Sequence, residues 1–160
     1  MTQSASTLPP NAPVEGKLEG KLEGKLEGRF YQSWLRHIGR GLLGLYFLGP
    51  GILKLFDLGT YETYMAAHGV PLVVPALWIT IVLQIGGGLL LIIGYRTQLM
   101  AFLLAGLALL INIFMHDFWN ADVYEGLVVA HEQQNFIKNL GIIAGLLFIA
   151  GTSPAGARHT

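Results

Sequence analysis

The sequence has 160 residues, enough for one domain, with 52% hydrophobic and only 12% charged residues. Soluble domains carry roughly 25% charged residues, so the composition argues against an ordinary soluble domain, and the formal net charge of zero gives no sign of nucleic-acid binding. The chain contains no cysteine, which excludes a dithiol redox site, thiolate-bound zinc and a cysteine-held iron–sulfur cluster. The charged residues cluster in the N-terminal part and in short segments, and the long stretches between these clusters carry no charge. This pattern is typical of helices in lipid.

The chain begins with a polar, low-complexity segment that covers residues 1 to about 33. Within it, the unit Lys-Leu-Glu-Gly repeats with a period of four and aligns Leu18, Leu22 and Leu26. A glycine in every turn destabilises a helix by about 1 kcal/mol each relative to alanine. We therefore predict a disordered cytoplasmic tail, with a docking strip for a partner or for lipid headgroups as the alternative.

Four apolar stretches predict transmembrane helices, each close to the length that crosses about 30 Å of hydrocarbon. Short connections make successive helices antiparallel neighbours. The sequence thus predicts an all-α, polytopic membrane domain over residues 34–152, a four-transmembrane-helix bundle with up-down-up-down order, followed by a cytoplasmic tail over residues 153–160. The four predicted spans are residues 35–56, 72–93, 99–115 and 135–152. Pro50, between two glycines, predicts a kink or a short break in the first span.

Arginines and acidic residues lie on opposite sides of this predicted bundle. The positive-inside rule places the arginine side in the cytoplasm, so we predict cytoplasmic N- and C-termini in the bacterial cytoplasmic (inner) membrane. The arginines are Arg29, Arg36, Arg40, Arg96 and Arg158. Gly141 and Gly145 form a GxxxG pair, which indicates close packing either inside the bundle or at a dimer face.

The predicted topology gathers polar side chains at the outer ends of the four spans. Because an unpaired ionisable group is costly in lipid, we expect Lys54 or Lys138 to pair with Asp117. A pocket that is apolar below and polar at its rim suits a quinone-like headgroup, with His116 and Asp117 as a candidate proton relay. The candidate ligand-binding residues are Lys54, Gln84, Asn112, Trp119, Lys138 and Asn139. No metal site is predicted.

The alternative for this cluster is structural, because polar residues are common at the ends of membrane helices. His68, His131 and Glu132 are predicted to be loop residues, the last two of them solvated, and His37 to meet lipid headgroups. Haem binding is disfavoured because no two histidines are expected to face each other at one depth.

The stretch from Arg40 to Thr152 resembles the DoxX-like family of small four-helix membrane proteins. The resemblance is carried by three segments: Gly49-Pro50-Gly51-Ile52-Leu53-Lys54, the glycine run 86–88 through Thr97, and His116-Asp117-Phe118-Trp119 followed by 134–140. Some members of that family are membrane subunits of quinone-linked oxidoreductases, including thiosulfate:quinone oxidoreductase. Relatives commonly carry a glutamate at the position of Gln84, so this chain lacks that carboxylate.

Sequence and resemblance together predict a membrane subunit of a quinone-linked oxidoreductase or respiratory complex, with an outward-facing polar pocket for a quinone or similar small molecule. The expected partners are membrane lipids and either a larger membrane or redox complex or further copies of the chain, with no nucleic acid. No intrinsic cofactor is predicted, so electrons would come from a partner, and whether the chain is itself an enzyme is left open. The alternative is a non-catalytic assembly or stabilising subunit; a small transporter or lipid-binding module is a third and weaker one.

Overall fold

The computed structural model describes residues 12–119 and 127–152, and every regular element in these ranges is helical. The elements are α1 (Ala12–Phe56), α2 (Leu58–Ala67), α3 (Val73–Val82), a π-helical segment (Leu83–Gly87), α4 (Gly88–Ile93), α5 (Thr97–Met115) and α6 (Leu127–Gly151). The prediction of an all-α chain is confirmed for this part of the chain.

The chain divides into two compact units, Met1–Ile38 and Gly39–Thr160. In the first unit, the described residues from 12 onward belong to α1, whereas we predicted disorder up to about residue 33. The four-residue period of the repeat is close to the 3.6 residues of a helical turn, and it is helical here despite its glycines. Leu22 and Leu26 are exposed. Residues 1–11 and 153–160 lie outside the described residues, so the predicted disorder of the first segment and the predicted cytoplasmic location of both stay predictions.

The helix of the first predicted span breaks at Asp57, one residue after the predicted end of that span, and not at Pro50. Pro50 is inside α1, which continues to Phe56. Asp57 then caps α2, since its carboxylate accepts a hydrogen bond from the backbone N–H of Thr60 at 3.2 Å. The helix pair Gly24–Phe56 and Leu58–Ala67 is bent by 105° at this point. Residues 58–67, predicted as part of a polar loop, therefore form a separate short helix.

Three helical stretches are long and apolar enough to cross a membrane: Val73–Ile93, Thr97–Met115 and Val128–Gly151. The first two agree closely with the predicted spans 72–93 and 99–115. The last begins well before the predicted start at residue 135, because α6 starts at Leu127. This earlier start places His131 and Glu132 on a helix and corrects their predicted position in a loop.

The second unit has two apolar clusters. The larger joins α1, α4, α5 and α6 through fully buried side chains, among them Phe47, Leu91, Leu104 and Leu146. The smaller joins α2 to α3 through Met65, Leu77 and Ile81. The short helix α2 is thus held against α3 by its own apolar contacts.

Glycines bring α1 into backbone contact with the second span. A Cβ built on Gly88 would lie 2.8 Å from the carbonyl oxygen of Gly44, and one on Gly44 would lie 2.7 Å from that of Gly88. A Cβ on Gly51 would lie 2.9 Å from Cβ of Gln84. Distances this short mean that only glycine fits at these positions.

Adding a methyl group at this contact should destabilise the fold. We expect Gly88→Ala to lower the free energy of unfolding by about 1–3 kcal/mol, because overpacking at backbone contact cannot be relieved by a rotamer change. The measurement is unfolding of the purified protein in mixed micelles, followed by circular dichroism.

Gly86→Ala is the matched control, since a Cβ at Gly86 meets nothing within 4 Å. That variant should be neutral or slightly stabilising because alanine favours helix over glycine. Equal stability of the two variants would contradict the close approach of α1 and α4.

Candidate functional site

A cavity of about 370 Å³ lies within the second unit, between α1, α2, the second span, α5 and α6. Its lining combines aromatic and aliphatic side chains with a small number of polar and cationic ones. The lining residues are Tyr46, Phe47, Pro50, Lys54, Tyr61, Tyr64, Met65, Thr80, Gln84, Ala108, Ile111, Met115, His116, Lys138 and Asn139. This mixture is typical of sites for small organic molecules.

Lys54 brings a positive charge to the cavity from the last turn of α1. Its Nζ lies 4.9 Å from the ring centroid of Tyr61 and 3.4 Å from the carbonyl oxygen of Pro50. The tyrosine ring stabilises the ammonium through its π electrons. We expected Lys54 or Lys138 to pair with Asp117, and this expectation is wrong, because Lys54 contacts Tyr61 and Lys138 donates to Oδ1 of Asn135 at 3.0 Å.

Gln84 lies in the π-helical segment and also lines the cavity. It is only 4% exposed, and its buried amide oxygen has no hydrogen-bond partner among the described residues. π-helical turns occur often at functional sites because they shift side chains relative to a regular helix. Gly51 of α1 allows the backbone to approach Gln84 closely.

The neighbouring wall is fixed by a hydrogen bond between α1 and α6. The hydroxyl of Tyr46 donates to Oδ1 of Asn139 at 2.7 Å, and Asn139 is buried. Both residues line the cavity. The prediction for Asn139 did not include Tyr46 as its hydrogen-bond partner.

His116 lines the cavity, and its carboxylate partner is Glu132. Nδ1 of His116 lies 2.6 Å from Oε2 of Glu132, and both side chains are largely buried. We predicted Asp117 as the partner and a solvated loop position for Glu132. Because α6 begins at Leu127, Glu132 is instead a helical residue directed at the end of α5.

Asp117 is paired with a different histidine. Nε2 of His68 lies 3.8 Å from Oδ1 of Asp117, and both residues are buried. His68 also contacts the backbone oxygen of Tyr64 through Nδ1 at 2.8 Å. His68 was predicted to be a loop residue, but it caps the C-terminus of α2 and connects that helix to the end of α5.

Two predicted ligand-binding residues do not line the cavity. Asn112 is fully buried and donates to the carbonyl oxygen of Phe136 at 3.2 Å, which joins α5 to α6. Trp119 is 57% exposed and stacks edge-on against Phe118 and Phe136. Asn112 thus connects α5 to α6, and Trp119, which follows α5 in the chain, packs against Phe136 of α6.

The cavity is therefore bordered by hydrogen-bond donors and by a histidine–carboxylate pair. Lys54 and Lys138 can donate to carbonyl or anionic oxygens, and the pair of His116 and Glu132 can hold or pass a proton. Among the described residues, no group of three or more His, Asp or Glu side chains is arranged to hold a metal ion. The site is suited to bind a small organic molecule and to exchange a proton with it.

Sequence reasoning missed the tyrosines of this cavity and Glu132. Tyr61 and Tyr64 lie three apart, which places them on one face of a helix, but the segment was interpreted as a loop. Glu132 lies three residues before Asn135 and six before Lys138. Extending the helical pattern of α6 toward its N-terminus would have found it.

Comparison with known proteins links this chain to small membrane proteins. A family model described as DoxX matches residues 35–117, just over half of the chain. The inner membrane protein YqjF of Escherichia coli strain K12 is 32% identical over 118 residues, which cover 73% of this chain and 82% of that protein. The inner membrane protein YphA of the same strain is 28% identical over 117 residues, 73% of this chain and 81% of that protein. No solved structure matches significantly.

The pairing of His116 with Glu132 should be measurable as an energetic coupling. In a double-mutant cycle with His116→Asn and Glu132→Gln, we expect a coupling of about 1.5–3 kcal/mol in the free energy of unfolding, because a buried hydrogen bond to a charged group is of this size. The measurement is unfolding in mixed micelles.

The parallel cycle with Asp117→Asn in place of Glu132→Gln is the control. It should give a clearly smaller coupling, since Asp117 faces His68. A larger coupling with Asp117 than with Glu132 would restore the pairing expected from sequence and contradict the structure.

Proposed function

Since the chain belongs to the DoxX family, we propose that it is a multi-pass protein of the bacterial inner membrane and a membrane subunit of a quinone-linked oxidoreductase or respiratory complex. In this proposal, the cavity lined by Lys54, Gln84 and Lys138 binds a quinone or a similar small molecule. The main observation behind this proposal is that two lysines lie in the lining of a cavity that is otherwise mostly apolar and aromatic.

The proposed topology has four spans with up-down-up-down order. Three are the helical stretches long enough to cross the membrane, and the fourth is α1, with α2 bent away from it at Asp57. The two E. coli relatives are named inner membrane proteins, which supports this location. The arginine distribution favours cytoplasmic termini, and the cavity would then open toward the outer side.

The composition of the cavity supports a quinone-like occupant. Its volume of about 370 Å³ is within the range of roughly 300–1,000 Å³ of small-molecule sites. Tyr61, Tyr64 and Phe47 offer ring faces and edges for a flat headgroup. Lys54 and Lys138 both line the cavity and supply ammonium donors for the carbonyl oxygens of such a ring.

Proton exchange in this proposal runs through His116 and Glu132, which replaces the couple of His116 and Asp117 suggested by the sequence. His116 is in the cavity wall and contacts Glu132 at 2.6 Å. A protonated imidazole can give its proton to an oxygen in the cavity, and the carboxylate stabilises the imidazolium. A partner protein would supply or accept the electrons.

The second candidate function is a non-catalytic subunit that assembles or stabilises a larger complex or a homo-oligomer. The GxxxG glycine Gly141 is exposed, and a Cβ there would meet nothing within 4 Å, whereas one on the half-buried Gly145 would lie 4.0 Å from Cδ1 of Leu43. Its small face is therefore open to another helix, which favours the dimer-face alternative. Recovery of the chain from native membranes with a partner protein but without any quinone would support this function over the first.

The proposed topology can be tested with single cysteines, because the chain contains none. Thr63→Cys on α2 should react with a membrane-impermeant maleimide in intact spheroplasts. Arg96→Cys, in the turn between α4 and α5, should react only after the membrane is permeabilised. Both positions are exposed, so the difference would report the side of the membrane; labelling of both from outside would contradict the four-span topology.

Quinone binding can be measured directly on the purified full chain in detergent. We expect 2-methoxy-1,4-naphthoquinone, a neutral probe, to bind at one site per chain in equilibrium dialysis. Ala108→Leu should weaken binding about tenfold or more, because Ala108 lines the cavity and the larger side chain would occupy its space.

Ala144→Leu is the control, since it makes the same change at an exposed position of α6. That variant should bind the probe like the unmodified chain. Absence of saturable binding, or equal weakening by both variants, would refute the quinone site.

A further inference from the structure

We infer that the occupant of the cavity is an organic anion, an aromatic or similarly apolar body that carries one acidic oxygen, such as a hydroxyquinone in its deprotonated form. This inference rests on the proposed function and narrows its ligand class. It follows from the balance of charge in the cavity wall and from the shape of its lining.

Two cations and no anion line the cavity. Lys54 and Lys138 are among its lining residues, and no described lining residue is an aspartate or glutamate. Lys54 is only partly exposed and contacts a tyrosine ring and a backbone oxygen. Lys138 is exposed at the rim and contacts the neutral side chain of Asn135. Neither contact supplies a negative charge.

The buried carboxylates at this end of the bundle are committed to histidines. Glu132 contacts His116 at 2.6 Å, and Asp117 lies 3.8 Å from His68. Each pair joins separate elements, α5 with α6 and α2 with the end of α5. The ion pairs of the described residues thus involve neither lysine. An ammonium that is partly buried in a membrane site, as that of Lys54 is, is stabilised by a counter-charge.

The remaining lining determines what kind of anion fits. Phe47, Met65, Ala108, Ile111 and Met115 form an apolar floor and walls, with tyrosine rings beside them. A small hydrated oxyanion would lose its water to these surfaces without compensation. An aromatic body would bury its own apolar surface there and direct its oxygen toward the lysines.

A matched pair of probes separates this inference from the proposed function. 2-Hydroxy-1,4-naphthoquinone is anionic at pH 7, and 2-methoxy-1,4-naphthoquinone is its neutral ether. On the unmodified full chain in detergent at pH 7, we expect the hydroxy compound to bind about tenfold or more tightly, because hydrogen bonds to charged groups are worth that factor. Equilibrium dialysis measures both affinities.

The variant Lys54→Gln combined with Lys138→Gln should weaken binding of the hydroxy compound much more than that of the neutral ether, because only the anion loses its counter-charge, so that the preference falls to about threefold or less. Lys25→Gln is the control, because Lys25 is exposed in the N-terminal part of α1 and should leave the preference intact. Lys54→Arg keeps the positive charge and should also retain it. Thermal melting of each variant verifies folding.

Equal binding of the two probes by the unmodified chain would overturn this inference and leave the quinone site in place. A preference that survives the double lysine change would also overturn it. Displacement of the hydroxy probe by equimolar potassium sulfate would overturn the requirement for an apolar body. Failure of both probes to bind would instead refute the proposed function itself.

Discussion

The structure depends on the contact between α1 and the second span, where backbone meets backbone. Gly44 and Gly88 face each other at a distance that a Cβ on either would reduce below 3 Å, and Gly51 stands in the same relation to Gln84. In lipid, where apolar side chains gain little from leaving their solvent, such close packing is a main source of helix association. It also decides where the polar groups of α1 lie, because Lys54 follows Gly51 by three residues and so lies on nearly the same face.

The two histidine–carboxylate pairs complete the site from the other side. Glu132 holds His116 toward α6, and Asp117 holds His68 at the end of α2. Burying a carboxylate is costly unless it is paired, so the histidine beside each acid contributes to the stability of the fold. Neither lysine of the cavity wall takes part in these ion pairs of the described residues. Structural pairing and a ligand site, which the sequence presented as alternatives, are therefore compatible, because they use different residues of one cluster.

Much of the fold could be predicted because hydropathy reports burial in lipid directly. The second and third spans were placed within a few residues, and the family resemblance is confirmed by the comparisons. The errors have physical reasons. Polar residues between spans were taken as loop, yet α2 is a separate helix that begins at the Asp57 cap. The first turns of α6 are also helical, because a helix can continue beyond the apolar core of the membrane. The predicted partner of His116 was wrong for a related reason. The choice between Asp117 and Glu132 depends on which face of α6 carries Glu132, and the hydropathy of the apolar part of α6 does not show this.

The π-helical segment links packing to chemistry. A π-helical turn adds a residue to one turn of a helix and shifts the faces on either side of it. In the second span this segment, Leu83–Gly87, follows Leu77 and Ile81, which pack toward α2, and precedes Gly88, which contacts α1. In a regular α-helix, the side chains before and after this segment would keep one fixed angular relation. That single relation would then have to suit the packing against both α1 and α2. The extra residue relieves this conflict and leaves Gln84 buried at the cavity with an unpartnered amide oxygen. A polar side chain is thus positioned at the site by the same feature that lets two differently placed helices pack against one span.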